Sequence, residues 1–401
     1  AEQALLANQR RRGYATALMQ LVVSPETDAA VRQAGAICLK NCVQRRWASE
    51  QRSWRVSRPN DPEELRIHVL DEAEKETIRG SIMQAIAASD SATRPQLLQA
   101  LSSIVEIDYP RRFPQLLSQV QTGLDPSQPP EVLLAAVSAF RVLTTHLQYA
   151  STRKGGVLPQ IVEATFPLLV PLVQAAQQSA DVQAVYILKQ VIKGFKCAVF
   201  TIMPAIFQDD TSQLVGWCEL LWISVVQPVG PFERDPAAAK LAWSCKSNAV
   251  AVVNRMMTRF GIGDSDVARV LRERVVVRFI EAALDILAAR VRGQATPRKV
   301  TIQLLRFLRV CVPVREAWQW KLKEQAGALI QEIIIPLLRY EDEDEERFTE
   351  DPQDYIRGST DVMQESSSHR GAAADLLTEL CWRRATTCLL QTLTACEGAC
   401  E

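Results

Sequence analysis

The residues able to do acid–base, metal or nucleophilic chemistry are few in this chain and lie apart. Its three histidines, His68, His146 and His369, have no ligand-spaced partners and are expected on helix or loop surfaces. Cys396 and Cys400 stand at i, i+4 in CLLQTLTACEGACE, but the paired Cys/His knuckles of a structural zinc site are missing. They are read as a pair of buried thiols. No GxxxxGK[ST], HExxH or GxSxG is present, and Gly261 and Gly263 in RFGIGDSD follow a helical block, where glycine ends a helix rather than cradling phosphate. The chain is therefore not expected to be an enzyme, and no cofactor or metal is expected.

What remains is charge. Residues 341–355 read EDEDEERFTEDPQDY: nine carboxylates (Glu341, Asp342, Glu343, Asp344, Glu345, Glu346, Glu350, Asp351 and Asp354) against one base, Arg347. Six consecutive carboxylates repel one another and cannot be core. The run is either a solvated loop or a surface that holds something basic. Formal charge is zero overall, yet residues 1–340 hold 41 bases against 31 acids and residues 341–401 hold 5 against 15. Arginines cluster early (Arg10 to Arg12, Arg45 with Arg46, Arg111 with Arg112). No nucleic-acid motif accompanies them, so direct nucleic-acid binding is not expected; recognition of an acidic protein surface is the alternative use.

These charges need elements to carry them. Glycine is scarce and apolar residues recur at three- and four-residue spacing in blocks 28–47, 94–109, 131–147, 181–200, 244–260, 271–291, 299–312 and 323–338. Pro110, Pro126, Pro129, Pro130, Pro204, Pro228, Pro231, Pro236 and Pro297 fall between blocks. The spacing predicts an all-α fold. Paired blocks of about 40–50 residues predict a HEAT-repeat α-solenoid, a superhelical stack of antiparallel helix pairs that bury their faces on their neighbours. No apolar run nears the ~18–20 residues that span a bilayer, so no membrane insertion is expected. Ten cysteines scattered through helical blocks read as buried, reduced thiols of a cytosolic or nuclear protein. Both ends break into helical patterns, so the chain is expected to continue.

Several phrases in order resemble the importin-β superfamily of nuclear transport receptors. AEQALLANQ followed by VRQAGAICLKNCVQRRW (31–47) is similar to its opening repeats, through Ala36, Leu39, Lys40, Asn41 and Trp47. IVEIDYPRRFPQLL (104–117) resembles its DYPxxW segment with Phe113 for Trp. PLLRYEDEDEERFTEDPQDYIR (336–357) resembles a segment shared by the importin seven/eight subgroup and the importin-α exporter, with Phe348 for Trp. AWSCKSNAVAVVNRMMTRFG (242–261) resembles the seven/eight subgroup more closely.

The resemblance implies an N-terminal portion with Ran-binding HEAT repeats at 1–125, central HEAT repeats at 126–340, an acidic loop insertion at 341–360, and the start of a further repeat at 361–401. It implies a nuclear import receptor that binds basic protein cargo such as ribosomal proteins or histones, crosses the pore and releases cargo on binding Ran–GTP. The alternatives are an exporter of importin-α and a non-transport HEAT scaffold. Implied partners are Ran–GTP, basic cargo and Phe-Gly nucleoporins, with importin-β as an optional further one; the implied location is cytoplasm and nucleus, by shuttling. Ran is expected at inner helices 13–23, 71–87 and 112–120, with Glu74, Lys75, Thr77, Ile78, Arg79, Arg111 and Arg112 as exposed contacts. The acidic loop is expected to hold cargo, Ran or both. Leu39, Trp47 and Tyr109 read as packing residues. Receptors of this type are usually acidic overall, and this chain is neutral: either the remaining C-terminal part of the receptor supplies the acidity, or recognition of basic cargo is confined to local patches.

Overall fold

The computed structural model describes residues 11–47, 69–149, 156–339, 342–360 and 368–400. His68, Glu341 and the opening AEQALLANQ lie outside them. Every regular element among the described residues is helical. The chain forms two compact units, Ala1–Val173 with Lys193–Thr201, and Gln174–Ile192 with Ile202–Glu401. The expected boundary at residue 125 falls inside the first.

The first unit contains α1 (Tyr14–Val23), α2 (Ala29–Arg46), α3 (Glu72–Ala88), α4 (Arg94–Asp108), α5 (Gln115–Gly123) and α6 (Pro130–Leu147). It also takes most of α7 (Val157–Gln178) and the end of α8 (Val182–Ala198). Starts follow local chemistry: Asp28 accepts from Ala30 N (2.9 Å) and Asp71 from Glu74 N (2.8 Å), satisfying amides that the first helical turn leaves unpaired. Helices α2, α4 and α6 pack side by side in one row, with α1 and α3 beside them. Phe166 of α7 sits between Phe140 (6.2 Å, edge-on) and Phe195 (5.4 Å, stacked), and all three are buried. Gly194 lets α8 lie against Phe140: a Cβ there would fall 2.3 Å from the ring.

Helix α7 corrects one expectation. By length and composition it is apolar enough to cross a membrane, although Pro167, Pro171 and scattered polar residues break any continuous apolar run. Its apolarity serves the core, where burying a Phe or Leu contributes about 1.5–3 kcal/mol.

The second unit contains α9 (Ala205–Asp209), α10 (Thr211–Val226), α11 (Pro236–Phe260), α12 (Asp266–Val270), α13 (Val276–Val291), α14 (Arg298–Cys311) and α15 (Arg315–Ala317). Then follow α16 (Lys323–Ala328), α17 (Ile335–Leu338), α18 (Asp342–Glu350), α19 (Pro352–Thr360), α20 (His369–Arg383) and α21 (Ala385–Cys400). Single π turns at Leu271–Val275, Trp318–Leu322 and Leu329–Ile334 join neighbouring segments. Here α11, α14 and α20 form one row, with α10, α13 and the 329–334 turn on the other side.

Candidate functional site

The two family-like phrases of the first unit meet in space. Trp47, just after α2, donates from Nε1 to Asp108 Oδ2 at the end of α4 (2.9 Å). Arg79 of α3 donates to the same oxygen from Nη1 (2.7 Å), and to Glu76 and Glu72. Arg79 and Lys75 each lie 5.9 Å from the centre of the Trp47 ring. Trp47, Arg79 and Asp108 are at most 3 % exposed. Burial alone would lower the Arg79 pKa, but the three carboxylate hydrogen bonds outweigh it and hold it above its ordinary value. Chemically this is a neutralised, dry ion pair with an indole donor on the shared oxygen, built to join three helices.

That cluster divides the N-terminal candidates. Glu74, Lys75, Ile78 and Arg79 are buried, against the expectation of exposed contacts. Their helix turns this face onto Trp47 and Asp108, which lie far away in sequence, so the Arg79 charge is matched inside the fold. Thr77, Arg111 and Arg112 are exposed. Glu72 and Glu76, absent from the expected set, keep exposed side chains beside them (60 % and 62 %). Burial would raise the Glu72 pKa, but Arg79, Lys75 and Arg112 together lower it, so Arg112 reaches the field of α3.

The acidic run is a helical hairpin rather than a loop. Helix α18 carries Asp342, Glu343, Asp344, Glu345, Glu346 and Glu350; Asp351 joins it to α19, which begins at Pro352 and carries Asp354. Acidic residues at a helix start are favoured by the partial positive charge of its free amides, which offsets their repulsion. Asp351 accepts from Gln353 N (3.1 Å), and proline fits the first turn. Asp344 turns inward, accepting from Arg370 Nη2 on α20 and from Tyr355 Oη on α19 (3.4 Å). Phe348 and Tyr355 meet edge-on at 5.8 Å. Burial would lower the Arg370 pKa, but Asp344 raises it. Glu345, Glu346, Glu350 and Asp351 are exposed. Tyr355 thus ties α19 to α18 through Asp344, and Ile356 is 53 % exposed.

Three smaller corrections concern single residues. His369 is buried at the start of α20 rather than on a surface, and His146 is half-buried, its Nε2 2.5 Å from Ser102 Oγ. Cys396 is exposed, not one of a buried pair, although Cys42, Cys218, Cys245, Cys311 and Cys388 are buried thiols. Lys246 is 6 % exposed; its Nζ donates to Val225 O and Gln227 O at the end of α10, and burial pulls its pKa down to about 8. It lies in the AWSCKSNA phrase, where nothing in sequence marks one lysine as a helix cap.

Two family models match the chain: Importin-beta N-terminal domain over residues 1–88, and Cse1 over residues 166–396. Among curated proteins it is similar to an importin beta-like SAD2 homolog of Arabidopsis thaliana, 25% identical over 96% of this chain and 37% of that protein. It is also similar to importin-8 of Homo sapiens, 23% identical over 94% of this chain and 36% of that protein. The chain therefore spans little more than a third of the length of these relatives. Among solved structures it shares the fold of the exportin Cse1 in its cargo-free, cytoplasmic state, with a TM-score of 0.77 and 19% identity over 99% of this chain and 41% of the other. The HEAT-repeat solenoid fold expected from sequence is the fold of that protein.

Proposed function

The chain belongs to the Cse1 family within the importin-β superfamily of nuclear transport receptors, and on that premise we propose that it is an import receptor for basic protein cargo. It would bind cargo in the cytoplasm, cross the pore through Phe-Gly nucleoporins, and release cargo in the nucleus on binding Ran–GTP. The observation that carries this reading is the acidic hairpin: Glu345, Glu346, Glu350 and Asp351 face solvent from helices tied down through Asp344 and Arg370. A held acidic surface steers and orients a Lys/Arg-rich partner better than a loose coil, because little ordering entropy is lost on binding. Thr77, Arg111 and Arg112, with Glu72 and Glu76 beside them, are the N-terminal residues proposed to meet Ran.

The test replaces Glu345, Glu346 and Glu350 with Ser and titrates a labelled histone at low and physiological salt. The expected result is roughly tenfold weaker binding with a shallower salt dependence. Unchanged affinity at low salt would remove the hairpin from cargo binding. A second reading, export, is favoured by the Cse1 match and the likeness to an exportin. It makes the opposite demand: Ran–GTP and cargo bind together instead of displacing each other.

A further inference from the structure

We infer that a basic cleft in the second unit is a docking site for an acidic peptide segment with an apolar side chain at its centre. The inference does not depend on the transport reading. The cleft, about 770 Å³, opens where the C-terminal ends of α11, α14 and α20 converge. Helix C-termini alone carry about half a negative charge each and would repel an anion. Five arginines reverse this: Arg272, Arg306, Arg309, Arg315 and Arg383 line the cleft with one carboxylate, Glu379. Glu316 and Asp375 pair with Arg272 (3.2 Å) and Arg309 (2.6 Å), and Glu379 with Arg383 (3.1 Å), but among the described residues that line the cleft arginines outnumber carboxylates five to one. Arg306, Arg309, Arg315 and Arg383 are all exposed.

Beneath this rim lies an apolar surface of Met257, Val310, Pro313 and Val314. Ile262 stands at the edge, 83 % exposed. Its loop is held open: Arg272 Nη1 donates to Gly261 O and Gly263 O, both at 2.8 Å, and Gly263 takes the positive φ (94°) that the turn needs. An isoleucine clamped into solvent beside an apolar floor and a basic rim matches a ligand that is apolar at its centre and anionic at its flanks. Among the described residues that line the cleft there is no aromatic ring of the kind on which proteins stack single-stranded nucleic acid, which favours a peptide over RNA; the exposed Trp382 lies beside it, under the Arg383 guanidinium (4.4 Å). The site also gives a use to the basic excess of residues 1–340, which the acidic hairpin leaves unexplained.

The experiment is fluorescence anisotropy of a short synthetic peptide, a Leu-Phe pair flanked by Asp and Glu, against the 401-residue chain. Arg306→Glu, Arg315→Glu and Ile262→Ser are made in parallel, all at exposed positions, with thermal unfolding checked for each. The expected result is binding that weakens about tenfold with each charge reversal, weakens with Ile262→Ser, and is lost when the flanks are changed to Lys. The inference is overturned if the peptide does not bind, if a Ser-flanked peptide binds equally well, if the reversals change nothing, or if poly-uridine RNA displaces the peptide and binds more tightly.

Discussion

Asp108 joins three helices through one oxygen, and its removal leaves a buried indole N–H without its acceptor and the buried Arg79 guanidinium with only the exposed carboxylates Glu72 and Glu76. Breaking a buried ion pair from one side costs about 3–5 kcal/mol, well above the ~0–1 kcal/mol of a surface pair. Asp108→Ala should therefore destabilise the first unit by about that amount in urea unfolding, while Trp47→Phe, which loses one hydrogen bond and keeps most of the ring, should cost about 1–2 kcal/mol. Similar small losses from both would show that the cluster is not the tie described. Lys246, capped by two backbone carbonyls, makes a pH prediction. Its pKa falls to about 8 in the folded chain from 10.5, so between these values the unfolded chain binds more protons. Stability contributed at this site is therefore lowest below about pH 8 and rises toward pH 10.5. Wild type should gain about 3 kcal/mol on Lys246→Met across that window; parallel pH profiles for the two proteins would refute it.

At the scale of elements, a part-buried pair, Asp344 with Arg370, ties the acidic hairpin to α20. Asp344→Asn should weaken its hold on Arg370 by about 1 kcal/mol. Amide exchange should quicken across 342–360 with the global unfolding midpoint unchanged; protection equal to wild type would mean that other contacts order the hairpin. The helices themselves were largely legible. The predicted blocks at 94–109, 131–147 and 299–312 agree with α4, α6 and α14 to within a residue or so, because each has one apolar stripe and a proline or polar start. Helix α10 gave no clean stripe: it is apolar over most of its surface, which erases the 3.6-residue signal. Repulsion between like charges argues for a loop at 341–346 in the sequence alone, and the compensation by helix-end amides, Pro352 and Arg370 is only partly local in sequence.

At the scale of the whole molecule, family membership and fold follow from the order of phrases along the chain, whereas contact surfaces did not. Four of the seven Ran candidates are buried, Arg79 among them because Asp108, 29 residues away, accepts its charge. A single sequence gives the amphipathic period of α3 but not which charged residues find partners on other helices. The spacing of Glu72, Glu76 and Arg79 was the available signal, since it places three mutually compensating charges on one face. The proposed function requires this chain to couple recognition of Ran with recognition of cargo. The direct measurement is binding of the chain to Ran loaded with GTP or with GDP, with a labelled histone present as a competitor. The expected result is binding of the GTP form alone, with histone displaced as Ran–GTP is added. Joint binding of histone and Ran–GTP would contradict import and favour export, and equal or absent binding of both nucleotide forms would contradict the coupling itself.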